Sequence, residues 1–386
     1  MGMNPVTKVY YVANARMPSS RAYGIQLAKM CEAFLKNGAS LELVVPRGRG
    51  AASSIEEFYG LHNRIPVRRL PGFVWWPRTR LGFNLNSFIF SLAATVYLIA
   101  QSLRDRRSIL YTIDLDQFSF LPLLASRMPC FSELHSAKRD NAIYRIFFRS
   151  VRGLIVINER IKHDLMSRFG VPPEKILVAP NGIDIEMFKK SLSREEARRA
   201  LGIPESAHAV VHTGRFYDWK GLRIIVGAAR RLGGRASFYL VGGTKEEFSS
   251  VTGEREIPEN VICSGYRSYP EMPRWLAAAD VLLALGTKEN DYSYTQTSPM
   301  KLFEYLASGR QIVASRTPAN AEIVSDAEAW FYEPDSAEGL AEAVVTVFES
   351  NTEKVAIKTA RALRKAEFYS WSNRAASVMR FITSQI

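Results

Sequence analysis

Cysteine is scarce in this chain. Cys31, Cys130 and Cys263 are its three, widely separated and with no CxxC among them. That pattern argues against a disulfide framework or a cysteine-based zinc site and suits a reducing compartment. The N-terminus, "MGMNPVTKVYYVANA", has no charged stretch followed by a long apolar core, so no signal peptide is expected. Tandem repeats and low-complexity tracts are missing as well. The "DLD" of Asp114 and Asp116 sits at a strand end and reads as a helix cap, not as a metal-binding DxD.

What is present is a globular composition: 386 residues, 47% hydrophobic and 23% charged, enough chain for two domains. The net charge of +13 is unevenly placed. Residues 1–180 hold 25 Lys and Arg against 12 Asp and Glu, and the remainder is balanced. Beside simple solubility, this asymmetry points to a first half facing something anionic: a membrane surface, a phosphorylated lipid or a nucleic acid. Nucleic acid is set aside, because the basic residues are scattered singly and form no recognisable motif.

Short apolar runs alternate with helical patterns. "KVYYVA" (8–13), "SLELVV" (40–45), "SILYTI" (108–113), "CFSELH" (130–135) and "GLIVIN" (153–158) predict buried strands. Residues 22–36 are apolar at helical spacing and are closed by Asn37-Gly38. The pattern pauses at "VAPNGIDIEMF" (178–188) and restarts with strands at 208–214, 236–243, 260–266, 280–285, 311–315 and 329–334. Helices are expected near 219–232, 271–279, 299–308 and 336–349. Near-continuous apolar strands alternating with helices imply parallel sheets covered on both faces, hence two doubly wound halves. Residues 81–101, "LGFNLNSFIFSLAATVYLIAQ", leave three readings open: a buried crossover helix, an interfacial docking element, or a membrane span. Trp75, Trp76, Arg78 and Arg80 are the candidate membrane anchors, with 138–149 as a second docking stretch, because aromatic and basic side chains favour the interface.

Two stretches carry chemistry. In "SPMKLFEYLASG" (298–309), Ser298 suits an N-cap and Pro299 the first helical position. The N–H groups of Met300, Lys301 and Leu302 would then open toward an anion. Glu304 lies five residues past Pro299, roughly 7–8 Å along the axis at ~1.5 Å per residue. That is about the distance from a nucleotide's phosphates to its ribose, though an ordinary capped helix with a Lys301–Glu304 surface pair fits the spacing equally well. In "HTGRFYDWKG" (212–221), Gly214 ends a strand, and Arg215 and Lys220 follow in a loop where two cations can grip a diphosphate.

These segments, with "FYLVGG", "VICSGYRSYPEMPRWLAAADVLLA" and "SPMKLFEYLASGRQIVASRTPANAEIV", resemble the donor half of the retaining GT-B glycosyltransferases of family 4, in the family's order. "VAPNGIDIEMF" is similar to that family's linker. The first half matches more loosely, through "AYGIQLAKMCEAFLKNGASLELVVP" and "ELHSAKRD". The resemblance implies an α/β chain of GT-B architecture, two Rossmann-like doubly wound parallel-sheet domains facing across a cleft. Residues 1–182 would bind the acceptor and 183–368 the nucleotide-sugar donor, with 369–386 a C-terminal helix able to pack back on the first domain. The implied activity is retaining, metal-independent transfer of a sugar to a hydroxyl of a glycan or lipid-linked acceptor, in cell-envelope polysaccharide or glycoconjugate synthesis. A GT-B sugar-nucleotide epimerase, or another non-transferring nucleotide-sugar binder, is the alternative. No cofactor is implied beyond the substrate, a UDP- or GDP-type sugar. The implied location is cytoplasmic, peripheral on the inner membrane face.

By the same resemblance, Arg215 and Lys220 hold the diphosphate beside Gly214 and the helix start Ser298, Pro299, Met300, Lys301 and Leu302. Glu304 binds ribose, and Tyr266 and Arg267 stand where the base rests. The family's other paired glutamate falls on Gln296, a departure that moves the donor-sugar contact toward Thr295, Thr297 or Ser298, with Glu289 and Asp291 as nearby acids. His135 matches the family's cleft histidine, with Glu133 as its buried partner. Arg21 and Gly24 match the loop that closes toward the diphosphate, with the second glycine of that loop absent.

Overall fold

The computed structural model describes residues 8–19, 21–47, 54–72, 80–113, 121–189 and 192–386, leaving out the side chains at positions 80, 81 and 83. The chain divides into two compact units: Met1–Pro180 with Trp371–Ile386, and Asn181–Ser370.

The first unit is built on a seven-stranded sheet: β1 (Val9–Val12), β2 (Leu41–Pro46), β3 (Val67–Leu70), β4 (Ile109–Ile113), β5 (Cys130–Leu134), β6 (Gly153–Val156) and β7 (Ile176–Val178). Its order is β3-β2-β1-β4-β5-β6-β7, and every pair is parallel. The five central strands are buried along their whole length, which is why they read as unbroken apolar runs. The two strands that sequence periodicity does not predict, β3 and β7, are the edges. β3 is "VRRL", with Arg68 and Arg69 exposed, and β7 is only three residues long.

The ambiguous apolar segment forms the helix Arg80–Arg104. It is long and apolar enough to cross a bilayer by length and composition, but it connects β3 to β4 of one sheet. Phe90, Ala94 and Leu98 sit in the core beneath it. Polar bonds tie the same helix down: Asn14 Nδ2 donates to Ser87 Oγ at 2.7 Å, Tyr97 Oη to Glu42 Oε1 at 2.7 Å, and Tyr10 Oη to Gln101 Oε1 at 3.2 Å. It is therefore a crossover helix. Trp75, Trp76 and Arg78 lie outside the described residues, as do the Arg80 side chain, Asp114 and Asp116.

The second unit repeats the plan with six strands: β8 (Ala209–Thr213), β9 (Ser237–Val241), β10 (Val261–Cys263), β11 (Val281–Ala284), β12 (Gln311–Ser315) and β13 (Ala329–Tyr332). They run in the order β10-β9-β8-β11-β12-β13, again all parallel. The strand order reverses between β8 and β11, and ligands in such sheets bind at the carboxyl ends of the strands at that reversal.

The tail helix Trp371–Ser384 belongs to the first unit and packs along the helix Ala22–Lys36. One buried charge fixes it. Arg374 Nη2 donates to Glu133 Oε1 at 2.7 Å, and Arg374 Nε donates to the Pro180 carbonyl at 2.9 Å. Glu133 is fully buried on β5 and also accepts from Gln26 Nε2 at 2.7 Å and Tyr111 Oη at 2.5 Å. Burial alone would raise its pKa, but the Arg374 guanidinium and the bond to His135 outweigh burial and hold it far below the usual range.

Removing one partner of a buried pair leaves an uncompensated charge, so Arg374→Met should cost about 3–5 kcal/mol in urea unfolding. Adding Glu133→Gln should recover part of that loss, and a strictly additive double mutant would contradict the coupling. Because the folded-state pKa of Glu133 is depressed, the pair's contribution is present above the unfolded carboxyl pKa and is lost as pH falls below it.

Candidate functional site

In the second unit, β8 delivers Gly214 and Arg215 to the point where the strand order reverses. Gly214 has φ +112°, a backbone setting that side chains rarely adopt. Its neighbour on β9's exit, Gly242, packs so closely that a Cβ there would lie 2.4 Å from the Gly214 carbonyl oxygen. Two ammonium groups converge on the open side of Gly214. A Cβ at Gly214 would stand 3.5 Å from Lys301 Nζ and 3.6 Å from Lys220 Nζ.

Neither lysine forms an ion pair among the described residues. Lys220 Nζ donates to the Arg215 carbonyl at 2.6 Å and lies over the Tyr217 and Trp219 rings, 4.9 and 5.4 Å from their centroids. Lys301 Nζ lies 3.2 Å from His212 Nε2. His212 is buried on β8, and its Nδ1 is 2.9 Å from the Leu283 carbonyl, which can only accept. The proton therefore sits on Nδ1, and the bare Nε2 accepts from Lys301. Burial, followed by the charges of Lys301 and Lys220, drives the His212 pKa well below its ordinary value and keeps the ring neutral. Burial and Arg215 push Lys220 down to about 8. Burial and Lys220 push Lys301 well below the lysine range.

The loop after β11 leads to the helix Met300–Ala307. Its start differs from the sequence expectation by one residue. Pro299 is the N-cap and Ser298 makes no capping bond. Instead Ser298 is buried against Asn181, its Oγ accepting from Asn181 N at 3.4 Å and its carbonyl from Asn181 Nδ2 at 2.9 Å. The expectation of three open amides is corrected too, because Leu302 N–H is taken by the Pro299 carbonyl at 2.9 Å. The N–H groups of Met300 and Lys301 have no carbonyl partner among the described residues. Tyr305 locks the helix to β8: its hydroxyl accepts from Thr213 N at 3.0 Å. Glu304 is buried, with no hydrogen-bond partner among the described residues. The expected surface pair with Lys301 is thus replaced by a buried carboxylate. Burial, offset in part by Lys301, raises its pKa to about 7.

Exposed aromatic rings surround these cations. Arg215 lies over the Tyr266 ring at 5.3 Å, while Trp219 meets Tyr292 edge-on at 5.2 Å. Arg267 is solvent-exposed beside the capping box of Ser268 and Glu271. Tyr292–Gln296 is a single π-helical turn, a form common at functional sites. Within it, Gln296 Nε2 donates to Asp291 Oδ2 at 2.6 Å and Thr295 Oγ1 to Asp291 Oδ1 at 3.1 Å. Thr297 Oγ1 turns inward to the Ser293 carbonyl. Glu289 is exposed, and its backbone N–H donates to Thr287 Oγ1 at 3.1 Å.

In the first unit, His135 ends β5 with Nε2 2.7 Å from Glu133 Oε1. Arg21 is an exposed residue at the start of the helix Ala22–Lys36. Gly24 is a correction: it lies inside that helix, not in the loop before it. A Cβ there would meet the Tyr59 hydroxyl at 2.4 Å and the Ser19 carbonyl at 2.7 Å, so packing alone accounts for this glycine. Sequence reasoning passed over His212, which reads as a core position of "HAVVHTG", and Asn181, whose partner is 117 residues away. Among the described residues, no group of three His, Cys, Asp or Glu side chains is placed to hold a metal ion.

Two family models match the chain: glycosyl transferases group 1 over residues 207–350, and Glycosyltransferase Family 4 over residues 24–187. The chain is 23% identical over 239 residues to a D-inositol 3-phosphate glycosyltransferase of Corynebacterium glutamicum, covering 58% of this chain and 55% of that protein. It is 23% identical over 217 residues to a lipopolysaccharide 1,2-N-acetylglucosaminetransferase of Salmonella typhimurium, covering 53% and 55%. The chain thus spans about half the length of the curated relatives it matches. Among solved structures it resembles Anabaena Alr3699/HepE in complex with UDP and glucose, with TM-score 0.72, 17% identity, and 98% and 100% of the two chains covered. At that identity the likeness concerns the fold alone.

Burying Glu304 has a stability signature. A carboxyl whose folded pKa is raised to about 7 costs the fold nothing at low pH and destabilises it as pH rises through that value. Glu304→Gln should therefore stabilise the unliganded protein at pH 8, by about 1–3 kcal/mol, with the gain vanishing near pH 4. A pH-independent melting difference would contradict this account of the site.

Proposed function

Because this chain belongs to the family 4, group 1 glycosyltransferases and has their two-domain GT-B fold, we propose that it transfers a sugar from a nucleoside diphosphate sugar to a hydroxyl of a glycan or lipid-linked acceptor. The observation that carries the reading is the convergence of Lys220 and Lys301 on Gly214, with the Met300 and Lys301 amides opening at the same helix start. Such a site takes a diphosphate, and Glu304 lies further along the same helix to accept hydrogen bonds from ribose hydroxyls.

The chemistry follows from the charges. As the bond between the sugar C1 and the β-phosphate oxygen breaks, negative charge grows on the diphosphate. Lys220, Lys301 and Arg215 stabilise that charge more strongly in the transition state than in the bound substrate, and this difference accelerates the reaction. The acceptor oxygen attacks C1 from the face the phosphate leaves, and its proton passes to the departing phosphate oxygen. This route retains configuration and requires no cofactor besides the substrate. Asp291, held by Gln296 and Thr295, is the carboxylate proposed to serve the sugar, since the family resemblance expects a glutamate where this chain has Gln296. UDP-sugars are the first donor class to test, since the HepE structure holds UDP; GDP-sugars come next. The first unit is assigned the acceptor, with His135 among its polar groups.

Titration calorimetry with a nucleotide sugar tests the reading, because the diphosphate diester does not itself titrate near neutrality. Affinity should fall as pH rises above about 8, where Lys220 loses its proton, and as pH drops below about 7, where Glu304 gains one. Lys220→Met should weaken binding by roughly tenfold or more and move the alkaline limb to higher pH, because the Lys220 charge also holds the Lys301 pKa down. Glu304→Gln should abolish the acid limb. No binding by any UDP- or GDP-sugar would remove the proposal's support.

Asp291→Asn should leave donor affinity within about threefold while lowering kcat by roughly tenfold or more, as expected for a group acting on the sugar in the transition state. Equal loss in affinity and kcat would assign Asp291 to ground-state binding instead.

A further inference from the structure

The helix Arg80–Arg104 keeps an apolar face exposed among the described residues. Leu85, Phe88, Leu92, Val96, Ile99 and Leu103 are each between 38% and 78% exposed. Their spacing, 3-4-4-3-4, repeats after eleven residues, so it averages about 3.67 residues per turn and drifts little around a straight helix. The row is roughly 27 Å long at ~1.5 Å per residue. Isolated exposed leucines need no explanation, but six in one line do.

Two further observations say what covers this row. The first is charge. The helix contains no Asp or Glu, ends on exposed Arg104, and is followed by Asp105 and exposed Arg106 and Arg107. The helix Ala142–Ser150, which packs into the same core cluster, exposes Ile146 and Arg149, while its Arg145 is paired with Asp140. The excess positive charge of the whole chain lies in this unit, and its tail adds two arginines and no acid. A second copy seated on the row would bring two cationic units together, whereas an anionic bilayer offers the opposite charge. The second observation is that the inner face is fully engaged. Ser87, Tyr97 and Gln101 bond to the sheet side, and Phe90, Ala94 and Leu98 fill the core. The helix can therefore lie on a membrane but not cross it without unfolding the unit.

We infer that the Leu85–Leu103 row is a monotopic docking surface for an anionic lipid bilayer, with the apolar side chains entering the acyl boundary and the arginines meeting the headgroups. This is the general design of interfacial helices, in which apolar burial and attraction to anionic lipid add together. It rests on the first unit alone and is independent of the donor chemistry proposed for the second.

Vesicle co-sedimentation of the full chain tests it, with neutral phosphatidylcholine vesicles and with vesicles containing about one third phosphatidylglycerol, free of any glycolipid or nucleotide sugar. The chain should bind the anionic vesicles at least tenfold more tightly than the neutral ones, and less tightly as salt rises. Leu92→Glu with Val96→Glu should reduce that binding at least tenfold, at an unchanged melting temperature. If that variant melts early, Arg104→Glu with Arg106→Glu provides the same readout without touching the apolar row. Binding equal on both vesicles, binding unchanged in both variants, or a chain that stays in the supernatant throughout would each overturn the inference. So would a concentration-dependent dimer dissociated by Val96→Glu in a chain that does not bind vesicles, which would give the row to a second copy.

Discussion

Two lysine ammonium groups sit beside one glycine, and among the described residues no carboxylate is paired to either. Lys220 donates to a backbone carbonyl and Lys301 to a neutral imidazole, so their repulsion is eased by dipoles and not cancelled by charge. Partly buried like charges are held together only when the surrounding structure leaves them no alternative. Here the constraint comes from β8, whose end sets Gly214 at a positive φ and packs its carbonyl against Gly242. Tyr305 then fixes the Lys301 helix to that same strand through Thr213. A carboxylate introduced beside the lysines would relieve that repulsion.

The first unit handles its buried charge in the opposite way. Glu133 is surrounded by donors from β4, the helix Ala22–Lys36, the tail helix and its own strand end. A carboxylate so fully satisfied acts as a structural node. It makes a segment more than 200 residues away in sequence part of this unit, since the tail returns to bring Arg374 to β5. His135 is held in place by this node, so its ring orientation depends on the same tail helix.

The doubly wound plan was legible because buried parallel strands write themselves as continuous apolar runs, and eleven of the thirteen strands did so. The two that did not are edges, where Arg68 and Arg69 face solvent and no such run is required. Arg215, Lys220 and Glu304 were singled out by their places after a strand end and a helix start, and the structure sets Lys220 beside Gly214 and buries Glu304 on the following helix. Their partners were not. Nothing local marks His212 as the acceptor for Lys301, or Asn181 as the partner of Ser298, because both contacts are made by folding distant segments together. The helix start slipped by one residue for a related reason: Ser298 has the chemistry of a cap, but Asn181 engages its side chain first. Hydropathy likewise could not say which face of 81–101 is covered, since an apolar residue reads the same on either side.

Gln296 is tied to a carboxylate by the turn it sits in. An amide cannot bear the charge that a glutamate bears, but it can orient a carboxylate that does. The π-helical turn places Asp291 on Gln296 and Thr295 together, and two donors on one carboxylate fix its direction. A standard α-helical turn sets residues four apart on one face, whereas the wider π turn brings Asp291 and Gln296, five apart, into contact. The departure at Gln296 and the unusual turn are therefore better understood as one feature than as two. Gln296→Glu would place two carboxylates at this contact, and their repulsion would disturb the turn that positions the first.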